Sequence, residues 1–234
     1  GTIPSSLGSM NQVLGLDISG NSLTGTIPSS LGSMKLTLMG LWENSLTGSI
    51  PASFGSLSAL LELYIYDNLL TGTIPDVLGS LTALLSLDML SNSLTGPIPT
   101  SMAALSHLGV LYLAFNNLTG TVPAGMGSLR RLVSLRLDNN YLTGPVSDVL
   151  GSLPELNILY LDDNFTGPVA VPAKLEYLSL SGNLFSGTVP AALGNMTDML
   201  YLFMSNNCLS GTIPSSLDQC SLLHFLYLAG NALS

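Results

Sequence analysis

The sequence predicts an α/β solenoid in which about ten similar units stack along one axis. The phrase GTIPSSLGSM occupies residues 1–10 and returns at residues 25–34, and its first seven letters return at residues 211–217. An Asn preceded by a Leu-x-Leu-x-x pattern recurs as well, mostly at 24-residue steps. It is found at Asn21, Asn44, Asn68, Asn92, Asn116, Asn140, Asn164, Asn183, Asn207 and Asn231. A fixed period of this length indicates units that bury their apolar residues only by stacking on one another.

The elements of one unit can be assigned in order over residues 82–105. Leu87 and Met89 alternate with polar neighbours, which is the period of a half-buried strand. The stretch Leu-Thr-Gly-x-Ile-Pro, here residues 94–99, is a second short extended segment. Its Pro is suited to open a brief helical turn. The Gly of Leu-Gly-Ser-Leu is predicted to end that turn with a positive φ. This Gly is found at Gly32, Gly79 and Gly151.

The recurring Asn is predicted to be structural. A side-chain amide both donates and accepts hydrogen bonds, so it can satisfy backbone groups where the chain leaves the strand and turns toward the interior. We call these residues the ladder asparagines.

Composition excludes several classes of protein. Charged residues make up only 8% of the chain and hydrophobic residues 47%, so a large core is available and disorder is not expected. The net charge of −9 opposes binding to nucleic acid or to anionic membrane. No apolar run approaches the roughly 18 residues of a membrane span, so we expect no membrane insertion within this chain. Cys220 occupies a core column and Cys208 follows a ladder Asn, which predicts two free thiols on different faces.

The consensus LxxLxLxxNxLTGxIPxxLGxL resembles the leucine-rich repeat in its plant-type, 24-residue form. The resemblance covers residues 1–234 as a single domain. It implies a curved right-handed superhelix with a concave parallel β-sheet, a short second sheet at Leu-Thr-Gly-x-Ile-Pro, and short 3-10 or helical turns on the convex side. Similar proteins include ectodomains of plant receptor-like kinases, polygalacturonase-inhibiting proteins and some plant ice-binding proteins, so the fold does not decide the function.

The repeat pattern is broken in two places. The step from Asn164 to Asn183 is only 19 residues, and PVAVPAKLEYLSL replaces the usual segment there, which predicts that one convex turn is deleted. We interpret this as a tolerated deletion; the alternative is a change of curvature that shapes a binding site. A smaller deletion falls at residues 35–38. Family members usually carry terminal caps, and neither end of this chain resembles one. We therefore expect a longer parent chain or an assembly to cover both ends.

Strand alternation predicts which side chains face the concave side. Residues three and five before each ladder Asn point inward, so residues two, four and six before it point outward. Seven of the eight tyrosines and the only Trp fall at outward positions, with Tyr141 as the exception. Strand propensity alone also favours aromatic residues in strands. The core columns, however, consist mainly of Leu, Ile and Met, so outward Tyr and Trp indicate a recognition surface.

The predicted ligand-binding site has two aromatic clusters separated by charged residues. The first cluster comprises Trp42, Tyr64 and Tyr66, with Glu62 beside it. The second cluster comprises Tyr160, Tyr177, Tyr201, Phe203, Phe225 and Tyr227. The charged residues between them are Arg136, Asp138, Asp162 and Asp163. Asp88 and Tyr112 complete the candidate set.

The central charges suggest what the ligand is. Asp138 and Asp162 share a column on neighbouring turns, where like charges repel. Compensation can come from Arg136 or from a basic group on a ligand. We therefore predict a concave site for a protein or peptide of basic and apolar character, with a cell-wall glycan as a further ligand class.

A second surface supports an alternative function. The Leu-Thr-Gly-x-Ile-Pro strands carry two columns, and the second of them contains no charged residue. The first column holds Thr24, Thr47, Thr71, Thr95, Thr119 and Thr143, and the second includes Thr26, Thr73 and Thr121. A flat array of hydroxyl and methyl groups could order water like an ice lattice. Thr-Gly also belongs to the plant-type consensus, and prolines interrupt the second column, so ice binding is the alternative. A structural surface or wall repeat protein is the third hypothesis.

Catalysis is not predicted. His107 and His224 lie far apart in the stack without a matching nucleophile, and no cluster has metal-ligand spacing, so we expect neither a metal nor a cofactor. Sequons occur at Asn117, Asn164 and Asn195. Assigning Asn164 to the buried ladder disfavours a glycan there, whereas Asn117 and Asn195 can carry one if the protein is secreted. The sequence thus predicts a non-catalytic, receptor-like recognition module located outside the cell or at its surface.

Overall fold

A computed structural model describes residues 1–162, 164–172 and 174–234, in which short β-strands alternate with short helical turns. The strands are β1 (Gly15–Asp17), β2 (Thr24–Thr26), β3 (Leu38–Gly40), β4 (Ser45–Gly48), β5 (Glu62–Tyr64), β6 (Leu69–Leu70), β7 (Ser86–Asp88), β8 (Thr95–Gly96), β9 (Val110–Tyr112), β10 (Asn117–Gly120), β11 (Ser134–Arg136), β12 (Tyr141–Pro145), β13 (Ile158–Tyr160), β14 (Asn164–Pro168), β15 (Tyr177–Ser179), β16 (Leu184–Thr188), β17 (Tyr201–Phe203), β18 (Cys208–Gly211), β19 (Phe225–Tyr227) and β20 (Ala232–Leu233).

The odd-numbered strands form one ten-stranded parallel sheet in sequence order, which confirms the predicted concave sheet. The strands pair in register, so that Leu63 lies between Met39 and Leu87. We call this the concave sheet. Equivalent residues of successive units therefore form straight columns across it.

The even-numbered strands form the predicted second sheet. The described residues divide it into a three-stranded part, β2-β4-β6, and a seven-stranded part from β8 to β20. A single bridge between Thr73 and Thr95 joins the two parts. The second sheet thus runs beside the concave sheet along the stack.

Most convex turns are 3-10 helices that directly follow a Pro, as predicted. They span Ser5–Ser9, Ser29–Ser33, Ala52–Ser56, Asp76–Ser80, Thr100–Ala104, Ala124–Ser128, Ala191–Asn195 and Ser215–Gln219. One turn is instead an α-helix, α1 (Ser147–Leu150), in the unit where Ser147 replaces the Pro. No helix is found among the described residues between β14 and β15, which confirms that one convex turn is deleted there.

The predicted role of the turn glycines is wrong. Positive φ angles occur at the Gly of Thr-Gly, such as Gly48 (74°), and not at Gly32, Gly79 or Gly151. At Gly32 the reason for Gly is proximity, since an added Cβ would lie 2.4 Å from the backbone oxygen of Ser53 in the next unit. Gly79 is equally close to Ser101 of its next unit, so Gly32 and Gly79 allow close stacking and are not required for a left-handed backbone.

The ladder asparagines satisfy backbone groups as predicted, and the structure shows that these groups belong to neighbouring units as well. Asn68 accepts a hydrogen bond from the Leu46 amide through Oδ1 (3.0 Å). Its Nδ2 donates to the carbonyl oxygens of Leu41 (3.0 Å) and Tyr66 (3.1 Å). The side chain is buried, so these bonds satisfy backbone groups that water does not reach.

Asn164 is not a ladder residue, which corrects the sequence assignment. It is exposed on β14 and pairs with Thr143 of β12, just as Tyr141 of β12 pairs with Thr119 of β10. Asn164 is therefore equivalent to Tyr141. Phe165, the next residue, is fully buried and fills the position of Leu142. The spacing between β13 and β14 is therefore one residue shorter than the sequence count assumed.

The core is a continuous column of apolar side chains. Most are Leu, Ile and Met, but Phe54, Phe165 and Phe185 are also fully buried, so aromatic residues are not confined to the concave side. Cys220 is buried in the core and Cys208 is exposed, and both are free thiols, as predicted. Each buried Leu contributes about 2 kcal/mol through the hydrophobic effect, so the concave side chains are presented on a rigid support.

Candidate functional site

The first cluster forms a compact group of rings on β5 and on the segments that follow β3 and β5. Trp42 stacks on Tyr66 with a centroid distance of 5.7 Å and an angle of 13° between the planes. Tyr64 meets Trp42 edge to face, at 5.8 Å and 85°. Such contacts fix the rings relative to one another before any ligand arrives.

Gly40, which the sequence analysis did not select, makes room for this arrangement. An added Cβ on Gly40 would lie 2.3 Å from Cζ3 of Trp42 and 3.0 Å from Oδ1 of Asp17. The indole therefore lies across the Gly40 backbone. Trp42, Tyr64, Tyr66 and Asp88 line a hollow of about 290 Å³ at this place.

The electrostatics of the first cluster are dominated by Asp88. Burial raises the pKa of the Asp88 carboxyl to about 6, although the backbone amide of Leu90 donates to its Oδ1 at 3.0 Å. Burial also raises the pKa of the Tyr64 and Tyr66 phenols, so both rings stay neutral. The hollow thus combines neutral aromatic faces with a partly buried acid.

The second cluster is a continuous series of ring contacts across four strands. Tyr160 stacks on Tyr177 at 4.4 Å, and Tyr201 stacks on Phe225 at 5.5 Å with 7° between the planes. Tyr177 and Tyr201 connect these two pairs at 5.3 Å. Phe203 and Tyr227 form a second row beside them, 4.9 Å apart. The structure therefore brings together all six predicted residues.

The central charges are compensated within the chain. Arg136 donates to Asp138 through Nε (3.3 Å) and Nη2 (3.1 Å), and Asn139 donates to the same carboxylate at 2.9 Å. The guanidinium carbon of Arg136 also lies 4.5 Å from the ring centroid of Tyr160. Of the two sources of compensation considered, Arg136 is the one observed.

Asp138 was predicted to be exposed for a ligand, and this is wrong. It is only 2% exposed, because Arg136 and Asn139 cover it. Asp162 is half-buried, and the Ser179 hydroxyl donates to its two oxygens at 2.7 and 2.9 Å. Burial raises the pKa of Asp162. Asp163, the remaining charged residue of this group, lies outside the described residues.

Glu62 and Tyr112 are two further residues of the predicted site. Glu62 is half-buried at the start of β5, two residues before Tyr64. Tyr112 lies on β9 beside Asp88 of β7, and its hydroxyl is 3.0 Å from the Ser134 hydroxyl. Sequence reasoning missed Ser134 and Ser179 on the strands and Asn139 in the bend after β11, because single short polar residues carry no distinctive signal.

The threonine columns are exposed on the second sheet, as the alternative requires, but they also serve the stack. The Cγ2 methyl of Thr26 lies 2.8 Å from the point that a Cβ on Gly48 would occupy, and Thr73 and Thr121 stand in the same relation to the next units. The Thr95 hydroxyl is directed at the Gly72 carbonyl (3.3 Å). Some methyl and hydroxyl groups of the threonine columns thus contact the neighbouring unit and are not wholly free to face solvent.

Asn117 on β10 and Asn195 at the end of a convex turn are exposed, and so is Asn164. The Nδ1 atom of His107 donates a hydrogen bond to the Thr82 carbonyl oxygen (2.9 Å). Within the described residues no group of His, Cys, Asp and Glu could hold a metal ion. No helix in that part of the chain has the length and apolar character that a bilayer span requires.

Comparison with protein families decides the family. The leucine rich repeat model matches residues 34–94 and 173–233, and a second model of the same description matches residues 13–34, 107–129 and 131–153. The chain belongs to the leucine-rich repeat family. Ectodomains of this family are typically non-catalytic ligand-binding modules. No curated protein sequence matches the chain significantly.

Solved leucine-rich repeat structures resemble the chain over its whole length. The plant peptide hormone receptor RGFR1 in complex with RGF2 is 30% identical, with a TM-score of 0.88, over 99% of this chain and 42% of the receptor. The ectodomain of the Arabidopsis thaliana receptor kinase GASSHO1/SCHENGEN3 was solved in complex with CASPARIAN STRIP INTEGRITY FACTOR 2. It is 33% identical, with a TM-score of 0.83, over 99% of this chain and 31% of the ectodomain chain. A plant ice-binding protein is 29% identical, with a TM-score of 0.86, over 100% of this chain and 77% of the ice-binding protein. The chain thus spans less than half of each receptor.

Proposed function

We propose that this leucine-rich repeat chain is an extracellular recognition module whose concave sheet binds an extended peptide with basic and apolar side chains. The observation that carries the proposal is the second cluster, in which six aromatic rings contact one another on a solvent-facing sheet. Four of them, Tyr160, Tyr177, Tyr201 and Phe203, have neighbouring strands on both sides and are still partly exposed. A chain that needed these rings only for its own stability would bury them.

Preorganisation supports this use of the second cluster. Because Tyr177 contacts Tyr160, Tyr201 and Phe203, its ring is already held in place before a ligand binds. Binding then loses little side-chain entropy, and the apolar faces supply contact area while the hydroxyls stay wet. This is the physical requirement for gripping aliphatic or aromatic peptide side chains.

The charge of the concave sheet supports a basic partner. Arg136 is paired with Asp138, which leaves Asp17, Glu62, Asp88 and Asp162 to set the sign of the surface. A surface of one sign steers and orients a partner of the opposite sign. RGFR1, described above, is a plant peptide hormone receptor, which agrees with a peptide as the partner.

The proposal can be tested with a displayed library of random short peptides, selected on the purified chain. We expect selected peptides to combine Lys or Arg with apolar residues. The double variant Tyr177→Ala, Tyr201→Ala should weaken their binding by about tenfold or more in calorimetry, because central aromatic anchors dominate such interfaces. Thr71→Ala on the second sheet is the matched control and should bind normally. Equal affinity of the wild type and the double variant would refute the proposal.

Ice binding is a second candidate function, favoured by the resemblance to the plant ice-binding protein and by the exposed threonine columns. The supporting groups would be Thr73, Thr95 and Thr121 of the second sheet. The test is thermal hysteresis and inhibition of ice recrystallisation by the wild-type chain and by Thr73→Lys, Thr121→Lys. Activity that the lysines abolish would establish this function, and no activity in the concentrated wild type would exclude it.

A further inference from the structure

We propose that the first cluster, together with Asp88, is a subsite for the guanidinium group of an arginine side chain. The inference rests on the proposed function only in assigning that arginine to the peptide on the concave sheet. Trp42 and Tyr66 lie nearly parallel, Tyr64 closes one side, and the carboxylate of Asp88 completes the lining of the hollow. Ring faces and a carboxylate in one hollow are the two groups that attract an organic cation.

Elsewhere on the concave sheet, the chain binds a guanidinium group of its own with a ring and a carboxylate. Between the two clusters, the guanidinium of Arg136 lies over the ring of Tyr160 while two of its nitrogens donate to Asp138. The first cluster offers the same pair of groups, rings and a carboxylate. Its cation has to come from a partner, because the chain supplies none at this place.

The distribution of charge along the chain supports a cation that comes from a partner. Lys35 is the only Lys or Arg among residues 1–129. It is exposed beyond the 3-10 turn Ser29–Ser33, beside a separate hollow that Ser58 and Ala59 help to line. The carboxylates of this half are Asp17, Glu43, Glu62, Asp67, Asp76 and Asp88. Arg136 is two strands away from Asp88 and is already paired with Asp138.

Geometry favours a guanidinium over an ammonium group. A guanidinium is planar and weakly hydrated, so it stacks on an aromatic face and still donates in its own plane to a carboxylate. Asp88 accepts one bond from the Leu90 amide through Oδ1, and a carboxylate can accept several. A lysine ammonium is a strongly hydrated point charge and gains less from the aromatic groups that line the hollow.

Trp42 makes the subsite directly measurable, since it is the only Trp of the chain. The probe is N-acetyl-arginine N-methylamide, titrated while Trp42 fluorescence is followed, against the citrulline derivative, which has the same shape without the charge. We expect saturable quenching by the arginine derivative and at least tenfold weaker binding of the citrulline derivative. Equal affinities would overturn the proposal. Equal binding of the lysine derivative would also overturn it, because the site would then sense charge alone.

Two variants test the structural basis. Asp88→Asn preserves shape and the bond from Leu90, and should weaken arginine binding at least fivefold. Gly40→Ala changes no charge and no ring, but its Cβ would displace the Trp42 indole, and it should weaken binding similarly. Circular dichroism checks that both fold. Wild-type affinity in both folded variants would refute the subsite.

The control variant separates this inference from the proposed function. Tyr201→Ala lies in the second cluster and should leave arginine binding unchanged while it weakens the selected peptides. If selected peptides need Tyr201 but bind Asp88→Asn and wild type equally, the recognition function stands and the arginine subsite fails. If the arginine derivative binds as expected and Tyr201→Ala affects no peptide, the subsite stands and the peptide function fails.

Discussion

The guanidinium of Arg136 lies over the ring of Tyr160, with its carbon 4.5 Å from the ring centroid. In this position Arg136 donates two hydrogen bonds to the carboxylate of Asp138, which lies two residues later in the chain. The Ser179 hydroxyl holds Asp162 separately. Two acids in neighbouring units are thus tolerated because each has its own donor, and the concave sheet keeps an ordered centre between its two clusters.

Removing Arg136 should destabilise the chain. Asp138 is 3% exposed in the pair, so Arg136→Met would leave a buried carboxylate with fewer donors. We expect a loss of about 3 kcal/mol in the free energy of unfolding, measured by urea denaturation. Lys174→Met is the matched control, because the Lys174–Glu155 pair is exposed and should contribute less than about 1 kcal/mol. Equal effects of the two substitutions would contradict the prediction, whereas adding Asp138→Asn to Arg136→Met should restore most of the loss.

Asp88 should make stability depend on pH. Its pKa of about 6 in the folded chain lies above the roughly 3.9 of an unfolded Asp, so the folded state holds the proton more tightly. Stability therefore falls as pH rises from about 4 through 6, and the ionised group opposes folding at pH 7 by about 1 to 2 kcal/mol after allowance for its partial exposure. Asp88→Asn should remove this loss while keeping the bond from Leu90.

The measurement is the melting temperature of the wild type and Asp88→Asn between pH 4 and pH 8. The groups that face Asp88 are Tyr64 on β5, Tyr112 on β9, and the more distant charges of Asp67 and Arg136. Because Asp88→Asn removes the carboxyl whose pKa of about 6 lies in this window, the variant should match the wild type at pH 4 and exceed it at pH 7. An offset that does not change with pH would contradict the assignment.

Asn116 should be essential to the ladder. Its Oδ1 accepts from the Leu94 amide (2.9 Å), and its Nδ2 donates to the carbonyls of Met89 (3.0 Å) and Leu113 (3.1 Å). Asn116→Leu should cost about 3 kcal/mol in chemical denaturation, because buried backbone groups of two units lose their partners. Asn117→Ala, at the exposed neighbour, should stay within about 0.5 kcal/mol. A cost at Asn116 no greater than at Asn117 would refute the structural role.

Asn164 should accept a glycan when the chain is produced in a eukaryotic secretory pathway. Its sequon is intact, and the structure exposes it on β14, in the column that also contains Asn117. Mass spectrometry should show a modified Asn164, and Asn164→Gln should lower the mass by one glycan. Modification of Asn117 together with an unmodified Asn164 would contradict the corrected register.

Several features could be predicted because they depend on short stretches of sequence. The alternation of Leu87 and Met89 was sufficient to orient the strands, and the missing turn after β14 was visible as a shortened step. The states of Cys208 and Cys220 followed from their columns. Asn164 was misplaced because counting forward from Leu161 and back from Phe165 gives different registers, and only the pairing with β12 decides between them.

The sequence by itself determined the repeat, the family resemblance and the side of the sheet on which Tyr and Trp lie. These follow from periodicity, which is local and is repeated in every unit. Only the tertiary structure decided that Asp138 is covered, that turn glycines such as Gly32 serve close approach, and that Gly40 lets the Trp42 ring lie across the backbone. Each of these depends on the lengths, rotamers and distances of side chains packed against one another, often from different units, and periodicity carries no information about those distances.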